Sequence, residues 1–190
     1  SIADLVKQIA KTAHVVMIDG AQDPKSNTGG FLATDNPADH EHFMNEVVLY
    51  EGLHTYGGMA GRTMEVLARG LSEMCSEDEV QWVMHQTERF TARLREGGVP
   101  LERGCDGAYL KADEFLPHVT AFPEHALAVA LYQSAGVRTV VPGRSGHDNL
   151  LPVQIPRLAM TNWQLDQVAD AVIALFRQRE RVAPLDLEAG

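Results

Sequence analysis

Apolar positions in the first twelve residues recur three and four apart, at Ile2, Leu5, Val6 and Ile9, and Ser1 stands where it could cap them. That spacing predicts a short helix at the start. Val15-Val16-Met17-Ile18 is a continuous apolar run closed by Asp19-Gly20 and reads as a buried strand. Residues 21–28 are polar, contain Pro24 and form a loop, and Gly29 to Thr34 reads as a second strand. A helix follows Asn36-Pro37, with Phe43, Val47 and Tyr50 on one side. Met64, Leu67, Ala68 and Leu71 mark another amphipathic helix. Ser76 and Glu79 have the spacing of a capping box, and Val80, Val83, Met84, Thr87, Phe90, Thr91 and Leu94 give the next helix its apolar face. Gly97-Gly98 ends it.

Beyond those glycines the elements shorten. Strands are predicted at Val99–Glu102, Ala108–Leu110 and Arg138–Val141, and Val153 and Ile155 alternate towards Pro156-Arg157. A helix runs from Phe122-Pro123-Glu124 to Ala135, where Gly136 stops it. The last helix starts at Thr161 or Asn162, with Leu165, Val168, Ala169, Val172, Ile173 and Phe176 inward. Pro142–Asn149 is a polar loop, and the tail from Pro184 is acidic and loose. Helices and strands mix throughout, so the class is α/β, with a boundary near Gly97-Gly98: residues 1–97 as one part and 98–190 as a small α+β lobe. Two adjacent strands are too few for the long helices beside them, so the first part reads as a piece of a larger α/β domain. Its missing strands are expected from another chain.

A net charge of −10 over 190 residues argues against nucleic acid and anionic membranes as partners. The start lacks the features of a secretion signal. No apolar run approaches the roughly 18 residues a membrane span needs, and Cys75 and Cys105 have no framework spacing. A cytoplasmic protein is expected. Cys105 reads as a core residue, and His54, His118 and His147 as isolated and solvent-facing. His40 and His42, two apart at a helix start, do not share a face, so no metal site is expected there. Lysines are confined to positions 7, 11, 25 and 111.

The stretch Glu51-Gly52-Leu53-His54-Thr55-Tyr56-Gly57-Gly58-Met59-Ala60-Gly61-Arg62, with Met64-Glu65, carries three close glycines and a tyrosine. Together with Phe122-Pro123-Glu124-His125-Ala126-Leu127-Ala128 through Arg138, with Ile155-Pro156-Arg157, and with Asp23 and Asn27-Thr28-Gly29-Gly30, it resembles the tyrosine phenol-lyase and tryptophanase family. These are β-eliminating lyases that use pyridoxal phosphate. The resemblance implies the C-terminal portion of an aspartate-aminotransferase-like (fold type I) enzyme: part of the large α/β domain, then a small C-terminal α+β domain. The phosphate-binding turn, the aromatic that stacks on the pyridine ring and the Asp that pairs with its nitrogen would lie upstream, on a partner chain that shares the cofactor.

The departures fall on the chemistry. In the family a Lys-Lys-Asp motif precedes the Gly-Gly strand, and its second Lys forms the Schiff base; here Ala21-Gln22-Asp23 stands there, and Gln22 cannot form an imine. Asp19 falls where the family has a phosphate-contacting Ser, Asp106 where a His lines the site, and Pro142 where tyrosine phenol-lyases carry a ring-hydroxyl-binding Arg. Gly29 and Gly30 remain beside this loop, and Lys25 is the lysine that could serve if Pro24 re-routes it. Arg157 resembles the Arg that grips the substrate α-carboxylate, a task suited to a bidentate guanidinium. Asn27 matches a monovalent-cation ligand, implying K+. Tyr56 matches an active-site Tyr near the subunit boundary.

The expectation is one half of a split lyase-like enzyme in a larger hetero-oligomer, acting on an amino acid at Cα–Cβ in a specialised biosynthetic step and inactive alone. The alternatives are a degenerate subunit that scaffolds or regulates an active partner, and a pocket repurposed without the cofactor.

Overall fold

The computed structural model describes residues 1–141 and 149–185. Contacts divide the chain into two compact units, Ser1–Gln81 and Trp82–Gly190, so the division falls inside a helix and ahead of the Gly97-Gly98 turn. Pro142, His147 and the end of the acidic tail lie outside the described residues.

The first unit opens with α1 (Ile2–Thr12), capped by Ser1 and Asp4 in a reciprocal box. β1 (Val16–Asp19) and β2 (Gly30–Ala33) form a two-stranded antiparallel sheet in which Val16 faces Ala33 and Asp19 faces Gly30. α2 (Pro37–Tyr50) starts from an Asn36 cap with Pro at its first turn, and α3 (Gly61–Glu73) follows the Gly-rich stretch. α4 (Glu77–Glu96) begins directly after Ser76.

This unit buries little. Among its residues, Leu67 is the single large apolar side chain in the core. The apolar stripe of α1 is uncovered, with Leu5, Val6 and Ile9 all exposed. The run read as a buried strand is half open: its alternate residues face solvent, and Met17 is 79% exposed. Among the described residues no third strand joins this sheet. Leu49 at 70% and Tyr50 at 75% leave the end of α2 equally open. On α3 the inward face is Thr63, Leu67 and Gly70, while Met64 and Ala68 stay exposed.

The second unit has a conventional core. β3 (Leu101–Arg103), β4 (Gly107–Lys111) and β5 (Leu150–Gln154) form an antiparallel sheet in that order. The short α5 (Ala112–Phe115), α6 (Pro123–Ala135) and α7 (Asn162–Arg177) complete it with the later turns of α4. Phe90, Leu94, Leu110, Phe115, Leu127, Leu131, Leu151 and Val172 are almost fully buried together. Arg89 pairs with Asp166 and Arg93 with Asp170, each through two nitrogens, a ladder between α4 and α7. Gly136 ends α6 in the left-handed region, as its place after the helix predicts. Arg138–Val141 forms no strand among the described residues, because no neighbouring strand pairs with it. Cys105, expected in the core, is exposed in the β3–β4 turn.

Candidate functional site

The loop between β1 and β2 is built from its own backbone. Gly20 and Gly29 close its neck through a 2.8 Å bond from the Gly20 N–H to the Gly29 carbonyl. The Ser26 N–H reaches the Gly20 carbonyl, and its buried hydroxyl donates to the Thr28 carbonyl at 2.8 Å. Successive turns run from Asp19 to Gln22 and from Gln22 to Lys25. The Asp19 carboxylate accepts from the Ala21 N–H at 2.9 Å. Gln22, Asp23 and Asn27 lie on the exposed side; Pro24 and Ser26 are buried.

Lys25 is engaged by carboxylates of α3 and α4. Its backbone is left-handed, with φ 57°. Its Nζ donates to Glu79 Oε2 at 2.8 Å and to Glu73 Oε2 at 3.4 Å. Arg69 Nε closes on Glu73 Oε1 at 2.6 Å. These two cations, Arg69 first, hold the Glu73 carboxyl below the usual carboxylate range. An amine that forms an imine must offer its lone pair, and an ammonium donating to two carboxylates does not.

Tyr56 sits in a tight turn in which the Tyr56 and Gly57 N–H groups bond to the Leu53 carbonyl and the Met59 N–H to that of Tyr56. Gly57 and Gly58 both have positive φ, at 56° and 72°, so two consecutive residues there need the conformation glycine adopts most freely. The Tyr56 side chain is exposed.

Arg157 belongs to the second unit, three residues after β5 and half-buried. Near β5, the Asp106 carbonyl accepts from the Ile155 N–H at 2.7 Å and its carboxylate from Gln154 Nε2 at 2.9 Å. Burial, with Asp106 and Cys105 nearby, raises the Tyr109 hydroxyl above the ordinary phenol range. His125 packs edge-on against Phe122 and pairs with Glu124, a structural place. His118, expected to stand alone, reaches the Val182 carbonyl at 2.9 Å. The structure therefore brings Asp19, Gln22, Asp23, Lys25, Asn27, Gly29 and Gly30 into one loop, with Tyr56 elsewhere in that unit. The partners of Lys25, Glu73 and Glu79, escape a reading of the sequence: only the Arg69–Glu73 spacing of four along a helix signals any of this cluster.

Among the described residues no group of three His, Cys, Asp or Glu side chains is placed to hold a metal ion, and no helix is long and apolar enough to cross a membrane. A fragmentary two-stranded layer followed by an α+β lobe is consistent with part of a pyridoxal-phosphate-dependent fold type I protein. No family model matches the chain. It is 33% identical over 204 residues to the tyrosine phenol-lyase of Nostoc punctiforme, covering 98% of this chain and 44% of that one. It is likewise 33% identical to the tyrosine phenol-lyase of Symbiobacterium thermophilum, with 97% and 44% covered. The tryptophanase of Salinibacter ruber is 34% identical over 195 residues, with 94% and 41% covered. The chain corresponds to the C-terminal half of the tyrosine phenol-lyase and tryptophanase family, and spans less than half the length of these relatives.

Pyridoxal phosphate is the cofactor of that family. In this loop Gln22 carries an amide, the Lys25 ammonium donates to Glu73 and Glu79, and the Asp19 carboxylate accepts from the Ala21 N–H, so the loop does not fit a covalent hold on that cofactor.

Proposed function

We propose that this chain is the later half of a split lyase-like enzyme, completed by a separate polypeptide that supplies the earlier half of the fold, with the pairs joined in a larger cytoplasmic hetero-oligomer. The observation that carries this is the bare first unit. α1, β1 and the end of α2 hold out Leu5, Ile9, Met17 and Leu49, each worth about 1.5–3 kcal/mol when covered.

The completed protomer acts on an amino acid at Cα–Cβ, in a specialised biosynthetic step. Pyridoxal phosphate, shared with the partner, supplies an electron sink for bonds at the α-carbon. The amine that holds it comes from outside this chain. Here Arg157 binds the substrate α-carboxylate, Tyr56 offers a hydroxyl at the subunit boundary, and Asn27 offers a carbonyl to K+.

Affinity purification of the tagged chain tests the pairing. A stoichiometric companion similar to the first half of a tyrosine phenol-lyase supports it; a lone monomer with one cooperative melt contradicts it.

A second reading is favoured by Gln22 and by the engagement of Lys25: a subunit without catalysis of its own that scaffolds or regulates an active partner. Borohydride treatment of the complex with pyridoxal phosphate, followed by peptide mapping, separates the two. Label on the companion supports the shared enzyme, and no label anywhere supports the scaffold.

A further inference from the structure

The loop that replaces the family's lysine loop is fastened at two adjacent residues. Pro24 is buried, and a β-carbon at Gly70 of α3 would overlap its carbonyl oxygen, so the glycine is what lets the loop lie directly on the helix. Lys25, next in the chain, donates to Glu73 at the end of α3 and to Glu79 in the first turn of α4. Its side chain is 22% exposed, and those of the two glutamates 37% and 23%. Arg69 holds the other oxygen of Glu73, which fixes that carboxylate from behind. A non-glycine residue in the left-handed region persists when its surroundings over-determine it, and here three charged side chains do so.

We propose that Lys25 is a positioning residue: an electrostatic clamp that binds the 20–29 loop to the corner between α3 and α4 and so fixes the turn that presents Gln22. The clamp explains why a lysine can stand in this loop without being its reactive amine. It stands on the geometry of the first unit alone, so its failure leaves the pairing proposed above untouched.

Four lysines make the test direct. A groove of about 380 Å³ lies beside the loop, lined by Lys25, Glu65, Arg69 and Glu73 among others. Competitive acetylation of the full chain with trace N-hydroxysuccinimidyl acetate, read by mass spectrometry, compares Lys25 with Lys7 and Lys11, which are exposed. The clamp predicts that Lys25 reacts about fivefold more slowly than these two, the scale of a partly screened ion pair. Glu73→Gln with Glu79→Gln should bring Lys25 up to their rate and leave Lys111, in the other unit, unmoved. A lysine poised as a nucleophile behaves oppositely and labels fastest. Labelling of Lys25 as fast as Lys7 in the parent chain overturns the clamp, and so does a slow rate that the double substitution does not change.

Discussion

Glu73 is the joint of the Lys25 cluster, and its titration is a residue-scale signature. Arg69 on α3 and Lys25 on the loop face it, Glu79 shares Lys25, and Glu65 lines the same groove. Because the folded value lies below the ordinary one, the folded chain binds this proton less readily than the unfolded chain. The contribution is therefore present above the ordinary carboxylate range and is lost as pH falls through the depressed value. Carbon-13 titration of the carboxyl should show a midpoint below that of a free glutamate, moving back towards it in Lys25→Met. An unmoved midpoint would leave Arg69 as its sole partner. Arg157 carries the corresponding prediction for ligand. Arg157→Ala in the completed complex should weaken amino-acid binding about 10- to 100-fold, the worth of hydrogen bonds to a charged group. Calorimetry that finds unchanged affinity would remove the carboxylate role.

At the scale of elements, the two units make opposite predictions. Leu94 is fully buried in the second unit, and Leu94→Ala should cost about 3 kcal/mol in denaturant unfolding. Gly70→Ala should act locally, forcing Pro24 off α3 and speeding amide exchange across residues 21–28 while β4 stays protected. Much of this layout was legible in the sequence. Ser1 with Asp4, Thr161 with Gln164, Pro37, Pro123 and Gly136 each mark a helix end through local chemistry, and local chemistry is what a sequence displays. Partners distant in the chain were not legible. Glu79, which has the spacing of a capping residue, receives Lys25 from 54 positions away. Thr139-Val140-Val141 has strand composition, but strands need a neighbour, and none pairs with it among the described residues. Cys105 looks like a core residue by type, yet the turn before β4 turns it outward. Of the candidate site, the loop 19–30 was legible as one segment; the direction of Lys25 was not, because it depends on a charge pattern created by folding.

At the scale of the molecule, the contrast between the units is the main result. The second buries a continuous cluster from α4 through α7; the first leaves amphipathic helices and a two-stranded sheet with their apolar sides open. An isolated two-stranded hairpin is marginal in water, and these exposed apolar faces are the surface that the proposed pairing would cover. In the first unit the Gly-rich turn at Tyr56 holds two glycines in the left-handed region, and the lysine of the loop that carries Gln22 is engaged by Glu73 and Glu79. The most direct test is amide hydrogen exchange on the monomeric chain, read by mass spectrometry. Strong protection is expected across β4, α6 and α7, with α1 and the end of α2 exchanging near the rate of unstructured peptide. Protection of α1 and the end of α2 equal to that of the second unit, in a monomer, would contradict the pairing.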